Sequence, residues 1–355
     1  MAGTAGRRAD RNTPRRPRLA DVADLAGVSS STASRALTDN GYAAPDVKLR
    51  VKAAAEQLGY VPDDHARSLK ARTTRTVGLL VSDLRNSFYA EVAAGAASVL
   101  REHDYTIVLV DDAANDSEEM SAARTFLATR VAGVLLTPVS ATVSRFVSKH
   151  GLPVVEIDRQ FARGVCDAVL IDNVAAAREV TRHLLSLGHR RVALVIDETD
   201  WTTGKGRLRG YTEALEEAGL GLDPDLVVRC GFDSADIAEQ TGRLLTARRR
   251  PTAVFAANNL LAERVWREAQ RLELTIPGDL SFVGFDDAPW MSMVNPGITT
   301  VRQPAFELGS RSAQILLSRI TKPARPRTVL LGSELVERGS TVRTGRRRRS
   351  AGSGR

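Results

Sequence analysis

Cysteine is nearly absent from the chain: Cys166 and Cys230 are the two in 355 residues. They stand alone, with no second ligand at metal-binding spacing. Neither a disulfide framework nor a thiolate metal centre is expected, and two ordinary cytosolic thiols are. The five histidines, His65, His103, His150, His183 and His189, are scattered as well. No apolar run is long enough to span a bilayer. The first residues are basic but carry no apolar signal segment, so export is not expected and the cytoplasm is the expected compartment. No set of nucleophile, base and orienting group emerges, and Asp286–Asp287 has no companion metal ligands. An enzyme is therefore not expected, nor is a cofactor. No leucine heptad runs near the C-terminus, which argues against a tetramer held by a terminal coiled coil.

Arginine is in surplus. Lysine and arginine number 50 against 42 acidic residues, a net charge of +8. Arg7, Arg8, Arg11, Arg15, Arg16 and Arg18 cluster at one end and Arg346–Arg349 at the other. This balance suits a polyanion without separating DNA from RNA or a membrane surface. The length exceeds one small core and leaves room for several domains.

From Arg18 the chain reads RLADVADLAGVSSSTASRAL. Leu19, Val22, Ala23, Leu25 and Ala26 give one short helix an apolar side. Gly27 permits a turn dihedral that a side chain would resist, Val28 can anchor the turn, and Ser29 can cap a second helix. Thr32, Ser34 and Arg35 give that helix a short polar face. The pattern is a helix-turn-helix presenting hydrogen-bonding groups to a DNA major groove. A solvated helical hairpin would also fit the segment by itself; the arginines preceding it favour phosphate contact. Val47, Val51, Ala54, Ala55 and Leu58 recur at helical spacing, so a third helix can close a small core. Asp63–Ala71 would make a marginal isolated helix. In it Arg67 and Lys70 can meet phosphates. Leu69 is either packing for the headpiece or a wedge for a minor-groove step.

The pattern changes at Thr76–Val81, a continuous apolar strand. Helix and strand then alternate: Glu91–Arg101, Thr106–Val110, Ser117–Thr129, Gly133–Leu136, a helix near Thr142–His150, and Pro153–Ile157. The rhythm restarts at Val192–Ile196 and runs through Leu280–Gly284. Two such runs predict two α/β lobes, each with a parallel sheet covered on both faces. Ligands of such sheets bind outside the carboxyl ends of the strands. Three polar residues fall there in the second lobe: Arg207 in GRLRGY, Asn258 after AVFAA and Asp286 after SFVGF. An arginine fork can bridge hydroxyls or a carboxylate, aspartate can accept two hydroxyl hydrogens, and asparagine donates and accepts. Any one alone fits a solvated surface; three together predict a converging site. Asp158 and Arg159 follow VVEI in the first lobe. Phe88 and Tyr89 either stack on a ligand face or are cap-and-core aromatics.

Together these motifs resemble the LacI/GalR family of bacterial transcription regulators. The resemblance rests on DVADLAGVSSSTASRAL, the LGYVP…ARSLKARTTRTVGLLVSD junction, IDN at Ile171–Asn173, and LLSLGHRRVALV. It continues in GRLRGY, PTAVFAANN, DLSFVGFDD and ITTVRQP, in that order from about Arg18 to Glu337. It implies an α/β fold: a two-lobed, periplasmic-binding-protein-like core joined by three crossovers, preceded by an all-α helix-turn-helix headpiece and a hinge helix. The expected domains are a disordered basic arm (1–17), the headpiece (18–62), hinge and linker (63–75), the effector-binding and dimerisation core (76–337), and a disordered basic tail (338–355).

The resemblance further implies a repressor acting as a homodimer on a near-palindromic double-stranded DNA operator. Ser30, Ser31, Thr32, Ser34 and Arg35 would serve the major groove; Ala66 and Leu69 would serve the minor groove, beside Arg67 and Lys70. The implied effector is a small molecule, a sugar first and a nucleobase or other metabolite as the alternative, with Arg207, Asn258 and Asp286 matching the family's ligand residues. A sugar-binding protein without DNA binding is the rival class. The sequence departs from the family at four points. Serines at 30 and 31 reach little, which leaves Arg35 much of the direct readout. Arg18 and Ala44 replace the usual helix caps, at about 1 kcal/mol each unless a neighbour substitutes. Asp63 replaces an asparagine facing phosphate. Asn259 stands where an aspartate is common, and an amide there can still cap the following helix.

Overall fold

The computed structural model describes residues 17–38, 42–60, 74–197, 201–230 and 236–345. The expected hinge residues Ala66, Arg67, Leu69 and Lys70, with Asp63, lie outside them, as do the arginines of 7–16 and 346–349. The chain divides into two compact units, Met1–Arg72 and Thr73–Arg355.

The first unit holds α1 (Leu19–Ala26), α2 (Ser30–Thr38) and α3 (Pro45–Leu58). Val22, Ala23, Ala33, Ala36 and Val51 form its small core. Leu25 belongs to neither core nor turn: it is 48% exposed, on the outer side of a helix too short to bury every apolar residue. Gly27 ends α1 in the left-handed region (φ 66°), as the turn requires. Ser29 Oγ accepts from Thr32 N at 3.2 Å and so caps α2. Arg18, with no acceptor on its side chain, cannot cap α1; instead Asp21 Oδ2 accepts from Arg18 N at 2.6 Å. A neighbour therefore supplies half of a capping box. Ala44 leaves α3 without a side-chain cap, but Pro45 opens the helix at a position whose N–H would be unpaired anyway.

The second unit contains two six-stranded sheets. The first takes β1 (Thr76–Val81), β2 (Thr106–Asp111), β3 (Gly133–Leu136), β4 (Val154–Ile157), β5 (Asp167–Ile171) and β11 (Thr328–Leu331), ordered β11-β5-β4-β3-β1-β2 and all parallel. The second takes β6 (Val192–Asp197), β7 (Val227–Cys230), β8 (Ala253–Ala256), β9 (Ser281–Phe285), β10 (Thr299–Arg302) and β12 (Glu334–Val336), ordered β12-β10-β9-β8-β6-β7, with β12 antiparallel to β10. The central strands β3, β4, β8 and β9 are buried throughout, as continuous apolar runs in doubly covered sheets should be.

Helices cover both faces. In chain order they are α4 (Ser87–Glu102), α5 (Asp116–Ala128), α6 (Ala141–Lys149), α7 (Asn173–Ser186), α8 (Thr202–Glu217), α9 (Asp236–Thr246), α10 (Asn259–Arg271), α11 (Pro289–Met293) and α12 (Ala305–Thr321). The chain passes between lobes three times: after β5, after β10, and between β11 and β12. On the second passage α12 returns to pack against α4. Gly95 and Gly309 allow this approach, since an added Cβ at either would collide with the Phe306 or Val92 carbonyl of the facing helix.

The expected disordered tail from 338 is corrected over 338–345. Ser340 is fully buried; its Oγ donates to Phe282 O at 2.5 Å and accepts from Thr299 N at 2.8 Å. The His189 ring sits between Thr252 Oγ1 and Val342 O, at 2.9 and 3.0 Å, and Thr344 N donates to Leu187 O. Composition alone hid this segment because its anchoring is polar rather than apolar.

Candidate functional site

In α2 the buried side is Ala33 and Ala36, which leaves Ser30, Ser31 and Arg35 exposed and Thr32 and Ser34 half-buried. Ser31 and Arg35 are one turn apart, and Arg35 Nε donates to Ser31 O at 3.2 Å. The hydroxyls of Ser31 and Thr32 both meet Ser29 Oγ, at 2.9 and 2.8 Å. All five expected reading residues thus sit on one short helix. Arg35 is its one long cationic donor.

A second site lies between the two sheets, at the carboxyl ends of β1, β4, β6, β8, β9 and β10. It encloses about 30 Å³ and is lined by all seven expected effector residues: Phe88, Tyr89, Asp158, Arg159, Arg207, Asn258 and Asp286. The structure adds Asn86, Asp197, Trp201, Thr203 and Gln303, which the sequence reading did not select. Trp201, Asp197 and Gln303 also follow or end strands, so the rule that found Asn258 would have found them.

Arg159 is 1% exposed. Its guanidinium donates to Pro138 O at 3.2 Å, Ser82 Oγ at 3.0 Å and Tyr89 Oη at 2.5 Å, and stacks on the Trp201 ring at 3.5 Å. Asp158 lies 3.5 Å from its Nε in the left-handed region, φ 67°. Arg207 stacks on Phe285 at 3.8 Å, donates to Asn173 Oδ1 at 2.8 Å and also donates to Ala257 O. Asp286 accepts from Asn259 N at 3.1 Å and from Gln303 Nε2 at 2.6 Å. Asn258 caps α10 through Oδ1 to Leu261 N, and its amide donates to both Asp197 oxygens.

Burial pushes the carboxyls of Asp158 and Asp197 up, against the pull of the two guanidiniums. Burial also holds the Tyr89 phenol well above its usual range. Asp158 Oδ1, Asn259 Oδ1, Gln303 Oε1 and Arg159 Nε are buried without a hydrogen-bond partner among the described residues. Unpaired buried polar atoms on this scale call for partners, and hydroxyl groups answer both acceptors and donors. Phe88 and Tyr89 are each 5% exposed, as core aromatics should be, they meet edge to face at 5.2 Å, and both also line the cavity. The cap of α10 is Asn258 rather than Asn259. Asn259 Nδ2 instead crosses between lobes to Asn86 Oδ1 at 2.8 Å.

The pattern for bacterial regulatory proteins of the lacI family matches residues 18–63, and that for a periplasmic binding protein-like domain matches 181–341. The ribose operon repressor of Haemophilus influenzae is 32% identical over 327 residues, covering 91% of this chain and 98% of its own. A complex of the transcriptional regulator CelR with cellobiose is similar in structure, with a TM-score of 0.70, 31% identity, and coverage of 92% of this chain and all of that one. A LacI family regulator from Enterococcus faecium with bound ribose gives 0.68 and 29%, covering 76% of this chain and 99% of its own. The chain belongs to the lacI family of bacterial transcription regulators.

Proposed function

We propose that this repressor reads a near-palindromic operator as a cytoplasmic homodimer and is controlled by a neutral monosaccharide of the ribose class held between its lobes. It carries out no chemistry on that ligand. The observation that carries the reading is the convergence of Asp158, Arg159, Arg207, Asn258, Asp286 and Gln303 on one cavity at the carboxyl ends of strands from both lobes. Three carboxylates beside two guanidiniums suit a hydroxyl-rich neutral ligand better than a phosphorylated one. A cavity of about 30 Å³, closed by Trp201 on Arg159, favours a monosaccharide over a larger sugar, since less opening is needed. Ribose-linked relatives support the same choice. The described residues contain no helix long and apolar enough to cross a membrane.

On the DNA side, Ser30, Ser31, Thr32, Ser34 and Arg35 enter the major groove. Ala66 and Leu69, flanked by Arg67 and Lys70, serve the minor groove. The test is a thermal-shift panel of pentoses, hexoses, disaccharides and purines, followed by operator binding with the hit. Arg207→Ala should lose the thermal shift and keep ligand-free DNA binding. A purine hit, or wild-type sugar affinity in Arg207→Ala, would overturn the assignment.

A further inference from the structure

The second lobe carries a cationic pole at the end opposite the effector cavity. Three segments meet there, at the amino ends of β6, β8 and β9. Thr344 N donates to Leu187 O, Thr252 N donates to Arg191 O, and Arg191 Nε donates to Arg249 O at 3.1 Å. His189 bridges Thr252 and Val342. This lacing gathers Arg190, Arg191, Arg248, Arg249, Arg250 and Arg343 on one surface. Two have carboxylate partners: Asp223 meets Arg191 at 3.1 Å and Asp279 meets Arg250 at 3.6 Å. Arg190, Arg248, Arg249 and Arg343 are exposed and have none among the described residues. The sequence continues from the same surface into Arg346–Arg349.

Exposed like charges held together by backbone hydrogen bonds repel one another, and a polyanion relieves that repulsion. The three segments, LGHRR, RRRPT and VRTG, contain no Phe, Tyr or Trp, and the His189 ring is buried. A single-stranded nucleic acid would want stacking platforms; duplex phosphates need only charge and donors. We propose that this pole is a second, sequence-independent binding surface for double-stranded DNA, separate from the helix-turn-helix. A repressor seated on its operator would then hold a second duplex segment at the far end of its second lobe. The inference builds on operator binding by the headpiece but does not depend on which effector is bound.

The experiment uses the full chain on an immobilised duplex that the protein itself selects from a random pool. A labelled 30-base-pair duplex of unrelated sequence is then offered as the second ligand. Wild type should capture it at low salt. Replacing Arg190, Arg248, Arg249 and Arg343 together by serine should cut capture by roughly tenfold or more. At about 0.9 per phosphate contact, loss of four contacts should shrink the salt slope by about 3.6. Affinity for the immobilised duplex and the thermal midpoint should stay unchanged. The fourfold lysine variant should retain capture, because phosphate contact needs the charge rather than the fork. Undiminished capture by the serine variant would overturn the proposal. So would equal loss in the lysine variant, or wild-type capture of polyglutamate in preference to duplex. Loss on removing residues 346–355 while the serine variant still captures would move the activity to the tail and overturn it too. Failure to retain the immobilised duplex would indict the headpiece reading instead, and unchanged wild-type and serine-variant uptake of free unrelated duplex would then reject the pole.

Discussion

Arg35 and Asn259 show how much one side chain can carry. Arg35 is the sole long donor on a helix whose other outward groups are serines and a threonine. A bidentate guanine contact contributes about 1–3 kcal/mol of discrimination. Arg35→Ala should therefore weaken operator binding by roughly tenfold to a hundredfold and leave binding to scrambled duplex far less affected, as measured by titration at fixed salt. Equal losses on both duplexes would make Arg35 a phosphate contact. Asn259 depends on the hydrogens of its amide. Asn86 Oδ1 accepts from Phe88 N at 2.9 Å, capping α4, and from Asn259 Nδ2 at 2.8 Å. A carboxylate at 259 would face that same oxygen with no hydrogen to give. Turning the Asn86 amide would rescue the contact and forfeit the cap. A buried hydrogen bond is worth about 1 kcal/mol net, so Asn259→Asp should weaken effector binding by about fivefold without changing operator affinity in the absence of effector. Unaltered effector affinity by calorimetry would show that this bridge does not hold the lobes together.

At the scale of elements, β2 is one of the two edges of the first sheet, opposite β11, with Val108 44% and Leu109 38% exposed. A parallel-sheet edge with apolar side chains facing outward is a liability unless something covers it, and a second copy of the chain is the cover we expect. Val108→Glu with Leu109→Glu should yield monomers in analytical ultracentrifugation and weaken operator binding while sparing the effector thermal shift. A dimer of wild-type stability in that variant would locate the interface elsewhere. Strands such as β1, β3 and β8 were legible because their apolar runs are unbroken. Helix α4 was expected from Glu91 but begins at Ser87, since its first turn is signalled by the Asn86 cap rather than by periodicity. That missed turn carries Phe88 and Tyr89 into the cavity. The stacking of Trp201 on Arg159 was illegible for another reason. Arg159 comes from the other lobe, and no local pattern encodes a contact made by closing two lobes.

The whole molecule couples its stability to protons through groups that no motif marked. Asp112 and Glu119 are fully buried, and each keeps one oxygen without a hydrogen-bond partner among the described residues. Burial raises Asp112 to about 7, against the Ala114 amide and Arg159, and raises Glu119 to about 8, against the Val139 amide. Both bind protons more tightly folded than unfolded. Their stabilising contribution is complete below their ordinary carboxylate range and is lost as pH rises through about 7 and 8. His183 and His189 oppose them: burial lowers both from 6.5, so their contribution is present above that value and fades as pH falls. Stability should therefore be highest on the acid side of neutrality and fall until about pH 8, with that decline set by the two carboxyls. Asp112→Asn and Glu119→Gln each remove one titrating group while keeping its shape and its acceptor. Denaturant unfolding between pH 6 and 9 should show a steep fall for the wild type, a shallower one for each single variant and the shallowest for the double variant. Parallel curves for all four proteins would mean that the alkaline decline has its source in other groups. Because Arg159 acts on Asp112 and also stacks on Trp201, effector affinity should vary with pH in the wild type and vary less in Asp112→Asn. That links the proton inventory of the first lobe to the cavity it shares with the second.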